Sequence, residues 1–341
     1  PIYGSGGVIG RADNYICEAD TIVIGRKGSI NNPIYVGEPF WNVDTAFGLE
    51  ANQEVLLPRY LYYFCKFFDF ERLNKAVTIP SLTKADLLKI NINVPTLEKQ
   101  KAIVEQLLGI DAIIYLRQEE LQKLDDLIKA RFVEMFGDLT NPSCAWDRCK
   151  LVEACEEADD IKCGPFGTQL SKDEYTDTGI AVWEIPQINS FFKTKPTHYL
   201  TNEKAEQLRA YSLIPGDIAM SRKGNVGKCA IYPEEYPDGI IHSDVLRIRV
   251  DSRRVNSMFM MRQLHYSGAV TRQIELVSSG AIMAGVNVTK LKQIYVHIPP
   301  MELQNQFADF VTQVDKSKVA VQKALEKTQL LFDSLMQQYF G

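Results

Sequence analysis

The chain has 341 residues, 45% of them hydrophobic and 24% charged, with 38 Lys and Arg set against 43 Asp and Glu for a net charge of -5. That is the balance of a globular protein with length enough for two cores. It excludes a membrane-spanning protein, since no run approaches the roughly 20 unbroken apolar residues of a span, and it argues against a protein that coats itself in nucleic acid, while leaving room for local basic patches.

No basic-then-apolar leader opens the chain, so a cytoplasmic location is expected. The cysteines at 17, 65, 144, 149, 155, 163 and 229 are odd in number, never spaced Cys-x-x-Cys and not flanked by histidine. They read as reduced structural thiols, and no metal site is expected.

In chain order, Tyr3-Gly4-Ser5-Gly6-Gly7 through Tyr15 and then Thr21 to Ile24 form a β-rich opening that ends in a glycine turn, Gly25-Arg26-Lys27-Gly28-Ser29. Glycine lets the backbone turn sharply and approach a ligand, while Arg26 and Lys27 suit phosphate or a guanine edge. Farther on, Ile90, Ile92 and Val94 alternate with polar residues and predict a half-buried strand before Pro95. Residues 98–136 then carry Ile103, Leu107, Ile110, Ile114, Leu121, Leu124 and Ile128 at alternating spacings of three and four, the seam of a long helix without internal proline. At 1.5 Å per residue such a helix runs about 58 Å, too long for one domain of this size to cover, so it needs another helix beside it.

The second half opens on Gly164-Pro165-Phe166-Gly167, followed by the polar loop residues Gln169, Ser171, Lys172 and Tyr175, and by Gln187 and Asn189 after Ile185. As a group these amide, hydroxyl and aromatic side chains are candidate base or backbone readers. Pro215-Gly216-Asp217 leads into a strand over Ile218 to Ser221 and a second basic turn, Arg222-Lys223-Gly224-Asn225. A strand over Ile294, Val296 and Ile298 precedes a second helix, whose seam is Phe307, Val311, Val314, Val321, Leu325, Phe332 and Leu335, interrupted by the polar Lys318 and Thr328.

The two halves are copies of one unit. At an offset of 204 Pro95 matches Pro299, Gln100 matches Gln304, Asp111 matches Asp315, and both copies close on Phe-Gly. Upstream the offset drifts, to 196 at Arg26-Lys27-Gly28 and Arg222-Lys223-Gly224 and to 200 for Asp44 with Asp244. The second copy has about 70 residues between Leu151 and its basic turn, the first only 25 before its own, so roughly 45 residues of the first domain are expected to be missing or supplied by another segment. The two seams are each other's most economical partners, and their polar interruptions can set the register. Two domains on a shared rod suit the reading of two separated half-sites on DNA.

The order and duplication of these motifs resemble the DNA-specificity subunit of type I restriction-modification systems over essentially the whole chain. The resemblance rests on Gly164-Pro165-Phe166-Gly167-Thr168, on Gly216-Asp217 leading to Arg222-Lys223-Gly224, and on Pro299-Pro300 before Glu302 and Gln304. In the first copy it rests on Tyr3-Gly4-Ser5-Gly6-Gly7, Arg26-Lys27-Gly28-Ser29 and Phe40-Trp41-Asn42-Val43-Asp44-Thr45. It implies an α+β fold: a first target recognition domain over 1–96, a long helix in 97–138, a second recognition domain over 139–300 and a second helix in 301–341, the two helices antiparallel as a coiled coil. It further implies that the chain reads a bipartite, asymmetric double-stranded DNA target. The helices would dock two modification subunits, which bind S-adenosylmethionine and methylate adenine, and the assembly would recruit restriction subunits. S-adenosylmethionine, ATP and Mg²⁺ would belong to those partners and no cofactor to this chain.

The competing readings are a coiled-coil scaffold that binds no DNA and an enzyme acting on nucleic acid. A metal-dependent nuclease core would set a second acid two positions before its lysine, but Ser221 stands there before Lys223 and Gly25 before Lys27. Asn141-Pro142-Ser143 and Asn32-Pro33-Ile34 lack the Pro-Pro-aromatic sequel of an amino-methyltransferase, the histidines at 198, 242, 265 and 297 lie far apart, and no Gly-x-x-x-x-Gly-Lys-Ser/Thr phosphate loop occurs. A non-catalytic DNA-recognition subunit is the expectation.

Overall fold

The computed structural model describes residues 1–137, 139, 144–224, 226–278 and 285–341. The chain forms two compact units, one of Pro1–Gln122 with Val319–Gly341 and the other of Lys123–Lys318. Each unit is a mixed α/β domain with a portion of both long helices.

In the first unit, β1 (Ile2–Gly4) pairs antiparallel with β2 (Gly7–Gly10) and parallel with β5 (Trp41–Asn42). A second sheet places β3 (Thr21–Gly25) between β4 (Ile34–Val36) and β6 (Ala46–Leu49), all antiparallel. β3 is buried on both faces: Ile22 and Ile24 pack with Phe64, Cys65, Phe70 and Leu82, and Val23 packs with Val36, Phe40 and Ala46. Its β-branched Thr-Ile-Val-Ile run fits such a two-sided strand, and Gly25 releases the chain into the basic turn. Helix α1 (Pro58–Phe67) starts on a proline, whose missing N–H costs nothing at a helix start. Tyr60 and Tyr63 turn toward Ile103, Leu107 and Ile110, and Phe64 turns toward β3, so α1 joins sheet to long helix. After the short α2 (Lys84–Leu87) comes the long α3 (Leu97–Phe136).

The second unit builds the same frame with more strands. β7 (Asp147–Lys150) pairs with β16 (Tyr295–Ile298). One four-stranded sheet runs β13 (Cys229–Ile231), β12 (Ile218–Ser221), β15 (Val245–Ile248), β8 (Ile161–Cys163). The other runs β10 (His198–Leu200), β9 (Ile180–Trp183), β14 (Gly239–Ile241), β11 (Ser212–Leu213). Trp183, Phe192 and Tyr232 fill the layer against Ala219, Ala230 and Val245. The short helix α4 (Ile185–Asn189) packs on β12 and β13, while α5 (Asn202–Gln207) lies against β9, β10 and β14. Helix α6 (Ser257–Tyr266) repeats α1, with Met260, Met261 and Leu264 on the sheet side and Phe259 facing the long helices. α7 (Gly268–Ser278), α8 (Val288–Leu291) and the long α9 (Met301–Phe340) complete it.

The long helices run antiparallel within each unit. In the first, Tyr339 donates to Gln106 Oε1 at 2.6 Å and Arg117 donates to Thr328 Oγ1 and the Ala324 carbonyl. In the second, Lys318 reaches Asp125 at 2.6 Å and Phe132 meets Phe307 at 5.5 Å. Ile103, Leu107, Ile110, Ile114, Ile128, Phe307, Val311, Val314, Phe332 and Leu335 are buried, while Leu121, Leu124, Val321 and Leu325 are half-buried where the polar pairs interrupt the seam. Lys318 and Thr328, the two polar interruptions of the α9 seam, each bond across to α3.

Two expectations fail on long-range pairing. Residues 90–94 form no strand, although Ile90 and Ile92 pack on the core as the alternation requires. The matching β16 is a strand because β7 supplies its hydrogen bonds, and the described first unit contains no strand pairing with 90–94. The upstream register is also one residue different. Gly25 pairs with Ala46 and Ser221 with Val245, and the Arg26 and Arg222 amides donate to Thr45 O and Asp244 O. Thr45, not Asp44, is therefore the counterpart of Asp244, because ladder hydrogen bonds set the alignment and side-chain identity does not.

Candidate nucleic-acid interface

The two basic turns are superposable in their backbone bonding. Ile30 and Val226 donate to the carbonyls of Gly28 and Gly224, and Leu82 and Val286 donate to those of Arg26 and Arg222. Lys27 bridges to Ser81 and Lys223 to Gly285. Gly28 and Gly224 hold φ of +83° and +67°, a conformation that disfavours any side chain, which is why glycine stands at both corners.

Their side chains are used differently. Arg26, Lys27, Gly28 and Ser29 are exposed. The Arg26 guanidinium donates to Asp44 O at 3.3 Å and lies 5.8 Å from the Phe47 ring. Arg222 is half-buried: it donates to Val286 O at 3.2 Å and Ser243 O at 3.3 Å, and sits 4.9 Å over the Phe166 ring. Lys223 is held by Asp244 at 2.8 Å. Asn225 lies outside the described residues.

The loop candidates of the second half divide into groups. Gln187 is buried, 1% exposed, and is removed from the reading set. It stands three residues into α4, where its Oε1 caps the Glu184 N–H at 3.1 Å and its amide donates to Lys195 O at 3.0 Å. Asn189, by contrast, accepts from Ser221 Oγ at 3.5 Å, at the end of the strand that leads into the basic turn. Gln169 and Ser171 are exposed, but Gln169 Oε1 accepts from Phe166 N and Tyr211 Oη, and the Ser171 amide donates to Glu174. Lys172 is exposed. Tyr175 stacks on His198 at 4.6 Å, and His198 Nδ1 lies 2.8 Å from Glu184 Oε2. Burial, then the nearby Glu184 and Asp244 carboxylates, push the Tyr175 phenol up.

The candidate set omitted Phe166, which is 47% exposed and stacked under Arg222. Its signal was an aromatic between two glycines. Gly164 admits no side chain, because a Cβ there would lie 2.3 Å from His242 O; this close approach sets Phe166 beside the basic turn.

A cavity of about 660 Å³ opens beside Gly224, Val226 and Gly227, walled by Leu264, His265 and Ile274. His265 Nε2 accepts the Cys229 N–H at 2.9 Å, and burial pushes its pKa down to about 4. A histidine kept neutral in the fold contributes stability that is present above its unfolded value near 6.5 and is lost as pH falls toward 4. Urea titrations at pH 7 and 4.5 are expected to show a loss of roughly 2–3 kcal/mol that His265→Gln removes.

The family model for the type I restriction modification DNA specificity domain matches residues 1–126 and 164–330, one segment in each half. The chain belongs to this family. It is 22% identical over 298 residues to the type I restriction enzyme MjaX specificity subunit of Methanocaldococcus jannaschii, which covers 82% of this chain and 68% of that one. It is 24% identical over 356 residues to the specificity subunit S.HindORF215P of Haemophilus influenzae, covering 99% and 85%. In fold it resembles the crystal structure of a type I restriction-modification S subunit from M. genitalium, with a TM-score of 0.60 at 16% identity over 100% of this chain and 88% of that one. A structure described for complex assembly and conformational transition of the type I system aligns with a TM-score of 0.58 at 17% identity, covering 95% and 82%. As a type I specificity subunit the protein is a non-catalytic DNA-recognition component. Among the described residues no helix is long and apolar enough to cross a membrane.

Proposed function

We propose that this specificity subunit reads a bipartite, asymmetric double-stranded DNA target, one part with each recognition domain, and positions two modification subunits together with restriction subunits. S-adenosylmethionine, ATP and Mg²⁺ are then needs of those partners. The observation that carries the reading is the pair of basic turns. Their backbone bonding is duplicated, whereas the side chains around them differ: Arg222 sits over Phe166 and Lys223 is paired with Asp244, while Arg26 lies by Phe47 and Thr45 stands in the place of Asp244. One scaffold with two dressings suits a target whose halves differ.

The seam residues are buried or half-buried in the intrachain helix pair and leave other positions for subunit docking. Leu108, Ile113 and Leu116 on α3 and Leu330 and Leu331 on α9 are exposed apolar residues at 38%, 43%, 61%, 69% and 53%, which supports partner helices or sheets packing there.

The test is selection of a random duplex library by the chain assembled with its modification subunits, at stated salt, with methylated adenines mapped in the source genome. Enrichment of a split sequence is expected; recovery of bulk DNA without preference would sink the proposal and leave a scaffold. Lys27→Ala is expected to weaken binding to all sequences and lower the salt slope by about one, the signature of a lost phosphate contact. Lys223→Ala should do less, because its ammonium is already committed to Asp244. Equal losses for the two would show that the Asp244 pair opens on DNA.

A further inference from the structure

The segment between Leu73 and Leu82 forms no strand or helix beyond a single bridge, yet both of its ends are fixed. Asn74 closes it, its Oδ1 accepting the N–H groups of Ala76 at 3.0 Å and Ser81 at 3.1 Å. The Gly28 N–H donates to Pro80 O at 2.9 Å, and the Leu82 N–H donates to Arg26 O at 2.9 Å. The loop is thus joined by main-chain bonds to the basic turn. At its tip Val77 is 100% exposed and Ile79 60% exposed.

A single exposed apolar residue needs no explanation, but two β-branched ones on a tip anchored beside Arg26 and Lys27 define a small apolar projection. A stable protein interface takes about 800 Å² from each partner, more than two side chains on a projection supply. A major groove, by contrast, accepts a narrow projection, and the thymine 5-methyl is the apolar group on its base edges.

We propose that Val77 and Ile79 are specificity-determining residues that contact thymine methyl groups in the half of the target read by the first domain. The inference rests on the reading of Arg26 and Lys27 as DNA contacts: the charged turn holds the backbone and the loop tip reads the base. At an offset of 204 the second half carries Ala281 and Met283 at these positions, which lie outside the described residues; in sequence the two pairs differ, as unlike half-sites require.

The test uses the full chain assembled with its modification subunits, and the duplex that the wild type enriches from a random library, with each thymine replaced in turn by deoxyuridine. The wild type is expected to bind about fourfold more weakly when a contacted thymine loses its methyl, the free energy of about one buried methylene. The double variant Val77→Ser, Ile79→Ser should be indifferent to that exchange and keep the wild-type salt slope. Both positions are exposed, so folding is not at stake, and near-identical thermal unfolding confirms it. Deoxyuridine exchange without effect at every thymine, an effect that persists in the double variant, or a half-target without thymine each overturns the proposal. If the wild type enriches a sequence and Lys27→Ala weakens all binding while the loop variant behaves as wild type, the loop assignment alone falls. If the wild type enriches nothing, the reading of the turn falls with it.

Discussion

Phe307→Ala is expected to destabilise the protein by about 3–5 kcal/mol, the cost of removing a fully buried aromatic and leaving a cavity. Phe307 is 0% exposed and lies at 5.5 Å from both Phe132 and Phe136, within a cluster that adds Ile128, Phe259, Val311 and Val314. Those partners come from α3, α6 and α9, so one truncation loosens both long helices and the domain helix that packs on them. For a unit of about 200 residues the midpoint should drop by roughly 10 °C in a calorimetric scan. Leu330→Ala on the same helix, at 69% exposure, serves as the control and should stay within about 0.5 kcal/mol. A loss below about 1 kcal/mol for Phe307→Ala would show that the site collapses around the missing ring and that the seam is not close-packed there.

Gln304→Ala should cost about as much by a different mechanism. Gln304 is 0% exposed; its Oε1 accepts the Asn256 N–H at 2.8 Å, and its Nε2 donates to Pro299 O at 2.7 Å and Arg254 O at 3.1 Å. Removing it strands three main-chain groups, each worth roughly 1–3 kcal/mol when buried without a partner, for a total of about 3–4 kcal/mol once some solvent entry is allowed. Gln100 makes the same clip in the first unit, to the Leu57 N–H and to the carbonyls of Val55 and Pro95. Gln100→Ala should therefore give a parallel loss. Glutamate at either position keeps the acceptor but buries a charge and turns a carboxylate oxygen toward two carbonyls, so a Gln304→Glu variant should be no more stable than alanine at neutral pH. Urea titration of the three proteins checks the order; an alanine variant as stable as wild type would mean that water replaces the clip at no cost.

These two glutamines mark how far the sequence could be read. Gln100 and Gln304 stand out as matching residues when the chain is aligned with itself, but their hydrogen-bond partners lie between 43 and 50 residues away along the chain, apart from the nearby prolines. The match identifies a shared task, and only packing names it. The basic turns show the same division. Strand, Arg-Lys and glycine recur in both halves and locate the turns, whereas the commitment of Lys223 to Asp244 and of Arg222 to Phe166 depends on a register of 199 and on a glycine at 164 that lets two loops touch. Gln187 looked like a loop amide and is a buried helix cap, because a short helix forms over Ile185–Asn189 with that side chain at its capping position.

The α+β class came with the family resemblance; by itself the sequence determined the repeat, both long helices to within a residue at their starts, and the two basic turns. All of these are carried by local periodicity or by glycine chemistry, which act over a few residues. The tertiary structure alone decided that 90–94 stays unpaired while β16 is a strand, that Thr45 and not Asp44 answers Asp244, and which polar side chains face outward. It also decided that an Asn74-closed loop sets Val77 and Ile79 beside Arg26 and Lys27. The pairings among these depend on hydrogen bonds between segments distant along the chain, which no local pattern encodes.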